Sequence, residues 1–234
     1  ITTPLSWVAT SNVAIYQGAK PVFVDVEKST GLIDPTKIEE KITPKTKAIL
    51  PVHLYGAMAD MKKIKEIANR HNLKIIEDTA HALEANSEGI RPGELGFCAC
   101  LSFHGAKNLT SGQGGAYITN SEFDAELVKL LRRDGVKNVG EKRVMFELGY
   151  KYDSTDFQAA LLIGQLKRIK ESHKKRNQIF ARYRAAFKEN INISFQDIKV
   201  PHVHACHLFV IWVPRDSRDE IRRTEYTFRA PLNR

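Results

Sequence analysis

Between Pro21 and Asp78 short apolar runs alternate with helical patterns, and that alternation restricts the chain to one class of fold. PVFVDV (Pro21–Val26) precedes a helix predicted from Asp34, AILPVHLYG (Ala48–Gly56) precedes a helix predicted from Asp60, and LKIIED (Leu73–Asp78) follows. Strands and helices in regular alternation imply an α/β fold. Connections of about three to six residues between successive elements make neighbouring strands run parallel, with helices on both faces of the sheet. Asp34 can cap the first helix with Pro35 at its first position. Met61, Ile64, Ile67 and Ala68 give the second helix an apolar stripe at helical spacing, and Asn72 is a plausible stop.

The same rhythm continues through FCACLSF (Phe97–Phe103), a Gly-rich turn TSGQGG (Thr110–Gly115) and the strand AYIT (Ala116–Thr119). Ser121 and Asp124 form a loose capping box ahead of a helix that runs to about Arg133. Asp134–Asp153 is charged, contains glycine and has no period, so a long mobile loop is expected there, and loops of that length in compact domains are usually functional. A long helix is predicted from Ser154 or Thr155 through FQAALLIGQL to Phe187, after which HLFVIWV (His207–Val213) reads as a strand opening a second domain. The stretch beyond Val213 is too short to finish that domain, and ITTPLSWVAT at the start is strand-like with no helix before it, so both ends are expected to be cut.

Composition narrows the function classes. The 234 residues are 42% hydrophobic and 27% charged, an ordinary soluble balance with length enough to bury roughly 70% of the unfolded surface. No run of about 18 apolar residues occurs and Ile1–Asn12 lacks a signal-peptide layout, so a cytoplasmic protein without a membrane span is expected. Cys98, Cys100 and Cys206 lack CxxC spacing and read as reduced core residues. A net charge of +9 suits nucleic acid, an acidic surface or a small anionic substrate. Much of the excess lies in the helical tract Lys167–Arg184, which reads as a solvated face, and no nucleic-acid-binding signature accompanies it.

In open α/β sheets reactive groups collect just beyond the carboxyl ends of the strands. Asp78 ends LKIIED, His81 follows three residues later, and Ser102 and Lys107 follow the next strand. A lysine beside Gly105 and Ala106, after a buried strand, can have its pKa drawn down by desolvation and a neighbouring cation, which yields a free amine able to attack aldehydes. A carboxylate at the end of the preceding strand suits a cofactor whose pyridine nitrogen must stay protonated. By spacing alone, a loop lysine is more often a surface lysine and a strand-end aspartate more often a helix cap. His202, His204 and His207 alternate beside Cys206 without a carboxylate, and no metal site is expected from them.

The segments TTPLSWVATSN, GAKPVFVDV, IDPTKIEEKITPKTKAILPVHLYG, ADMKKIKEIA, IIEDTAHALEA, LSFHGAKNLTSGQGGAYITN and YKYDSTDFQAALLIGQL occur in an order and at a spacing that together carry a family resemblance. From Ile1 to about Val213 the chain resembles the sugar aminotransferases of the DegT/DnrJ/EryC1/StrS family. The resemblance implies a fold type I, aspartate-aminotransferase-like α/β domain with a mostly parallel sheet, working as a homodimer with pyridoxal 5'-phosphate. Residues 1–153 would be the cofactor-binding large domain, lacking its usual N-terminal part; 154–187 would be a connecting helix, and 188–234 the start of a small α+β domain. By the resemblance an amino acid, with glutamate as the expected donor, would give an amino group to a keto nucleotide-sugar in amino-sugar biosynthesis.

Roles carry over at matching positions. Lys107 would hold the cofactor as a Schiff base and act as acid and base. Asp78 would pair with the pyridine nitrogen, His81 would sit near the phenolic oxygen, Ser102 would bind the phosphate and Trp7 would stack on the ring. His81 and Trp7 could instead be core residues, His104 could approach the substrate, and His53 reads as a sheet residue with its ring hydrogen-bonded. Three departures from the family pattern stand out. The upstream Gly-Thr segment whose helix N-terminus cradles the phosphate is absent, the small domain is incomplete, and Asp153 in YKYDSTD replaces an asparagine that reaches the neighbouring subunit's phosphate. They leave a second class open, a catalytically inactive fold type I remnant or fragment that serves as a binding or dimerising module. Retention of Lys107 speaks against it, and against the family's dehydratase branch, which has histidine there. A basic nucleic-acid binder, resting on charge alone, is the third class.

Overall fold

The structure, a computed structural model, describes residues 1–198 and 201–219. Its centre is a four-stranded sheet in the order β1 (Ala48–Ile49), β2 (Lys74–Asp78), β3 (Cys98–Ser102) and β4 (Gly115–Thr119). The first three strands run parallel and β4 runs antiparallel to β3, with Ser102 opposite Gly115. Single parallel bridges extend the sheet past β1, from Leu50 to Thr2 and from Thr2 to Phe23, and Val52 bridges Asp78. The α/β class with a mostly parallel sheet is therefore as expected.

Two predicted strands are shorter than their apolar runs. Ala48–Gly56 is regular only over Ala48–Ile49, because Pro51 has no N–H for the ladder, although its carbonyl still accepts the Asp78 N–H at 2.9 Å. Pro21–Val26 contributes isolated bridges at Phe23 and Val26, since its neighbour in the sheet is the short segment around Thr2.

Helix α2 spans Met61–Arg70, and its sequence explains both ends: the Asp60 Oδ1 accepts the Lys63 N–H at 3.1 Å, and Asn72 leaves the helix at a positive φ of 51°. Its Met61, Ile64, Ile67 and Ala68 are all buried, in one core with Val24, Ile33, Ile38, Ile49 and Ile75. Each such aliphatic side chain contributes about 1.5–3 kcal/mol by leaving water. Asp34 does accept the Thr36 N–H at 3.0 Å with Pro35 next to it, but the segment forms two 3-10 turns, Pro35–Lys37 and Glu39–Lys41, in place of the predicted helix.

Elsewhere the chain departs from the reading of its sequence. The opening segment is strand-like only at Thr2; from Ala9 it forms helix α1 (Ala9–Tyr16). After helix α3 (Glu122–Leu131), capped by Ser121 Oγ accepting the Asp124 N–H at 3.2 Å, the region expected to be a mobile loop contains a hairpin of β5 (Val136–Val139) and β6 (Lys142–Met145). Gly140, with φ 59°, opens its two-residue turn, where positive φ is what a hairpin requires. The predicted single long helix is two: α4 (Asp156–Lys167), started by a Thr155–Gln158 capping box, and α5 (Ile169–Phe187), with Arg168 leaving helical geometry between them. HLFVIWV is a regular strand only at β8 (Ile211–Trp212), which pairs antiparallel with β7 (Ser194–Phe195). Cys98 and Cys206 are buried as expected, whereas Cys100, on the same face of β3 as Cys98 and nearer its carboxyl end, is exposed. Among the described residues no helix is long and apolar enough to cross a membrane. Most of the tail beyond Val213, residues 220–234, lies outside the described residues.

Candidate active site

The parallel run of β1, β2 and β3 brings three loop beginnings to one edge of the sheet. Asp78 is the last residue of β2. Its Oδ2 accepts the Thr10 hydroxyl proton at 2.7 Å, and its Oδ1 accepts the Ala80 N–H at 3.1 Å. Helix α1 thus reaches the carboxylate through one side chain. The Asp78 peptide is pinned as well, its carbonyl accepting the His53 N–H at 2.9 Å.

Directly beneath, Glu77 is 0% exposed and carries a buried network. Its Oε2 lies 2.9 Å from His53 Nε2 and accepts the Gly93 N–H at 2.9 Å, while its Oε1 accepts the Gly96 N–H at 2.9 Å. The His53 Nδ1 accepts the Ala59 N–H at 3.2 Å, which places the ring proton on Nε2, toward Glu77. His53 is accordingly a sheet residue with both ring nitrogens engaged. Gly96 has no room for a Cβ, which would collide with the Glu77 carboxylate.

Lys107 lies in the loop after β3, half-buried, with its N–H donated to the His104 carbonyl at 2.9 Å. Burial holds its amine below the ordinary lysine range, and the Asp78 charge opposes that shift. Ser102 ends β3, where its Oγ accepts the His104 N–H at 3.3 Å; among the described residues none accepts its hydroxyl proton. Ala80, His81, Ser102, Lys107 and Asn108 line one small cavity. The loop is fastened to α4 by Gln165, whose Oε1 accepts the Thr110 N–H at 3.1 Å and whose Nε2 donates to the Thr110 carbonyl at 2.6 Å.

His81 Nδ1 accepts the N–H of Tyr55, a residue at φ 62°, at 3.2 Å, so its proton sits on Nε2. Burial pushes its pKa down to about 4, with the Lys107 charge adding to the effect. His207 packs against it with ring centroids 4.3 Å apart, and its own pKa is pushed down to about 3 by burial first, then by His81, Lys107 and Arg176. The His207 Nδ1 lies 3.0 Å from Asn108 Oδ1. Neither His207 nor Asn108 was singled out as a site residue by the sequence, and the one signal available was that Asn108 adjoins Lys107.

The remaining candidates separate. Trp7 is 77% exposed, which rules out the core alternative and leaves its indole face open ahead of α1. His104 is exposed, with its Nδ1 accepting the Ala106 N–H at 3.3 Å. The alternating histidines diverge: His202 Nδ1 meets Ser87 Oγ at 2.8 Å, His204 Nε2 meets Gln196 Oε1 at 2.9 Å, and His207 meets Asn108. Asp153 is surrounded by cations, with Lys151 Nζ at 3.0 Å, Arg133 Nε at 3.7 Å and Arg132 at 3.8 Å. The hydrogen bond from Lys151, with the arginine charges, holds its carboxyl below the usual range.

Chemically, the edge offers a half-buried amine with lowered basicity, a carboxylate with lone pairs to spare, a hydroxyl with a free proton, and a neutral imidazole. That donor set fits pyridoxal 5'-phosphate, which presents an aldehyde, a ring nitrogen, a phosphate and a phenolic oxygen.

Comparison with known proteins agrees. Residues 1–225 match the model of the DegT/DnrJ/EryC1/StrS aminotransferase family. The chain is 40% identical over 235 residues to an uncharacterised protein of Methanocaldococcus jannaschii, covering 97% of the chain and 61% of that protein. It is 36% identical to the spore coat polysaccharide biosynthesis protein SpsC of Bacillus subtilis, covering 96% of the chain and 60% of that protein. Among solved structures, Helicobacter pylori PseC, an aminotransferase involved in the biosynthesis of pseudoaminic acid, superposes with a TM-score of 0.92 at 27% identity, over 97% of this chain and 62% of that one. S. venezuelae DesV, in complex with a ketimine intermediate, gives 0.89 at 32% identity, over 97% of this chain and 60% of that one. The chain therefore spans about three fifths of the length of these relatives. By fold and by sequence, it belongs to the DegT/DnrJ/EryC1/StrS aminotransferase family.

Proposed function

We propose that the chain is the cofactor-binding part of a pyridoxal-phosphate-dependent sugar aminotransferase, which moves an amino group from an amino acid, with glutamate as the proposed donor, to a keto nucleotide-sugar in amino-sugar biosynthesis. The observation that carries this reading is Lys107: a half-buried amine held below the lysine range, at the strand edge that also presents Asp78 and Ser102. Within that reading residues 1–153 are the large domain, 154–187 the connecting helical segment and 188–234 the start of a small domain.

When bound, pyridoxal phosphate supplies an aldehyde and an electron-poor ring that accepts the electrons left when a proton departs. The chain's residues do the rest. Lys107 Nζ, as a free amine, would hold the cofactor through its aldehyde carbon with loss of water, and, once displaced by the donor's amine, would carry the proton from the donor's α-carbon in a 1,3-shift. The Asp78 carboxylate, fixed by Thr10 and Ala80, keeps a ring nitrogen protonated and so maintains the electron demand. Neutral His81 offers its Nε2 proton to the phenolic oxygen, Ser102 offers its hydroxyl proton to the phosphate, and the open face of Trp7 limits ring tilt. Asp153, neutralised by Lys151, Arg132 and Arg133, does not impose a repulsive charge on a phosphate from the neighbouring subunit.

A homodimer in the cytoplasm belongs to the same proposal. Val8, Val13, Ile15 and Tyr16 on or beside α1 and Phe157, Leu161 and Ile163 on α4 are exposed, apolar surface of the kind a subunit interface covers. Sedimentation of the purified chain tests this, and a monomer at micromolar concentration would contradict it.

The test of the function is the absorbance spectrum of the chain with pyridoxal phosphate, beside a Lys107→Ala variant, before and after glutamate. A visible band that depends on Lys107 and shifts with glutamate is expected. A folded wild-type chain without a Lys107-dependent band would overturn the reading.

A further inference from the structure

Lys107 is flanked by a hydrogen-bonded chain that ends far away in sequence. Asn108, the next residue, has both amide protons and one lone pair of its amide oxygen in use: its Nδ2 donates to Glu84 Oε2 at 3.0 Å and to the Ala205 carbonyl at 2.9 Å, and its Oδ1 accepts from His207 Nδ1 at 3.0 Å. Glu84, with a side chain only 9% exposed, is ion-paired to Arg176 of α5, whose Nε also donates to the Ala205 carbonyl at 3.4 Å. His207 in turn packs on His81, and His81 receives the Tyr55 N–H. Arg176, Glu84, Asn108, His207, His81 and Tyr55 are therefore one continuous path across the back of the Lys107 loop.

The arrangement fixes proton positions. An amide oxygen only accepts, so the proton of His207 is on Nδ1, facing Asn108. The Tyr55 N–H only donates, so the proton of His81 is on Nε2, away from Tyr55. Burial pushes the pKa of both rings down, to about 4 for His81 and about 3 for His207, so both are uncharged at neutral pH.

We propose that Asn108 and His207 are positioning residues for Lys107: tied to the half-buried Glu84–Arg176 pair, they hold the loop so that the Lys107 amine stays half-buried. The proposal gives a role in the Lys107 reaction and so rests on the aminotransferase reading. Removing either tie frees the loop at the residue following Lys107, and the amine gains water. A buried amine returned to water regains basicity, so its pKa rises toward the ordinary range.

The experiment measures the Lys107 amine directly, in the full chain without cofactor. Competitive acetylation followed by peptide mass spectrometry gives the amine's pKa in the wild type, Asn108→Ala, His207→Phe and His207→Gln. For Asn108→Ala and His207→Phe the Lys107 pKa should rise, with acetylation at neutral pH falling about tenfold for each unit of rise. His207→Gln, which keeps an N–H for Asn108, should recover most of the wild-type value. Unchanged Lys107 pKa values in folded variants would overturn the proposal. Should the variants fail to fold, nitrogen-15 spectra of the wild type decide: Nδ1–H on His207 with Nε2–H on His81 at pH 7 upholds the path, and the opposite tautomer on either ring refutes it. Because neither measurement uses pyridoxal phosphate, a failed positioning role is distinguishable from a chain that makes no Lys107-dependent band.

Discussion

Replacing Glu77 by alanine should destabilise the chain more than any other single polar change under the candidate site. The carboxylate accepts three hydrogen bonds, from His53 Nε2–H, Gly93 N–H and Gly96 N–H, and the residue has no exposed surface. Each buried donor left without an acceptor costs about 1–3 kcal/mol. The Gly96 N–H is only partly buried and water can serve it, which leaves two full penalties; water entering the vacated space relieves part of those, giving roughly 3–4 kcal/mol. Glu77→Gln keeps one acceptor oxygen but turns an NH2 toward one of the three donors, so its cost is about 1–2 kcal/mol. Urea unfolding resolves the difference: with a slope of about 2 kcal/mol per molar, the alanine variant's midpoint falls by roughly 1.5–2 M and the glutamine variant's by under about 1 M. The alanine variant losing less than about 1 kcal/mol, or the two variants losing the same amount, would refute the network. His53 also holds the Asp78 carbonyl, so Glu77→Gln should weaken pyridoxal phosphate binding although it touches no part of the cleft.

Further outcomes follow from the same structure. Ile64→Ala, at a side chain with no exposure, should cost about 2–5 kcal/mol in the same unfolding assay. Thr155→Ala removes the N-cap hydroxyl of α4 and should cost about 1 kcal/mol. His81 and His204 are held down to about 4 and His207 to about 3, so the unfolded chain takes up protons first as pH falls below about 6.5. Native stability should therefore be full above that pH, decline down to about pH 3 on account of these rings, and decline less steeply in His204→Gln; melting temperature against pH measures it. Thr10→Val deletes the hydroxyl bond to Asp78 and should weaken pyridoxal phosphate binding about tenfold in a fluorescence titration, with no loss expected for Ser11→Ala on the same helix.

Where the sequence was readable, a local rule and the tertiary environment agreed. The stripe Met61, Ile64, Ile67 and Ala68 demanded a covered face and found the sheet, with Asp60 and Asn72 marking the ends. The placement of Asp78, Ser102 and Lys107 at or just after strand ends was legible because strand ends in an α/β sheet have predictable places, whereas the roles offered for them came from the family resemblance. The hairpin was missed although its signal was present: Gly140–Glu141 sits between VKNV and KRVM, and charged strands exposed on nearly every residue lack the apolar alternation that marks a half-buried strand. The break at Arg168 had no local sign, since neither proline nor glycine occupies it, and nothing in the structure explains it. The contact of His207 with His81 joins residues far apart in the chain, and only the folded backbone brings them together.

The Gln165 side chain has a consequence for how the molecule transmits force. Its amide grips Thr110 through one acceptor and one donor, the way one peptide group grips another, and such a two-point grip tolerates neither sliding nor rotation. A twist of α4 by a single residue, about 100°, would release both contacts at once. Helix and loop consequently behave as a single lever. Pressure on α4, along which Phe157, Leu161 and Ile163 lie open, arrives three residues from Lys107 without passing through the sheet. Whatever covers that helix therefore also tunes the stiffness of the loop that carries Lys107.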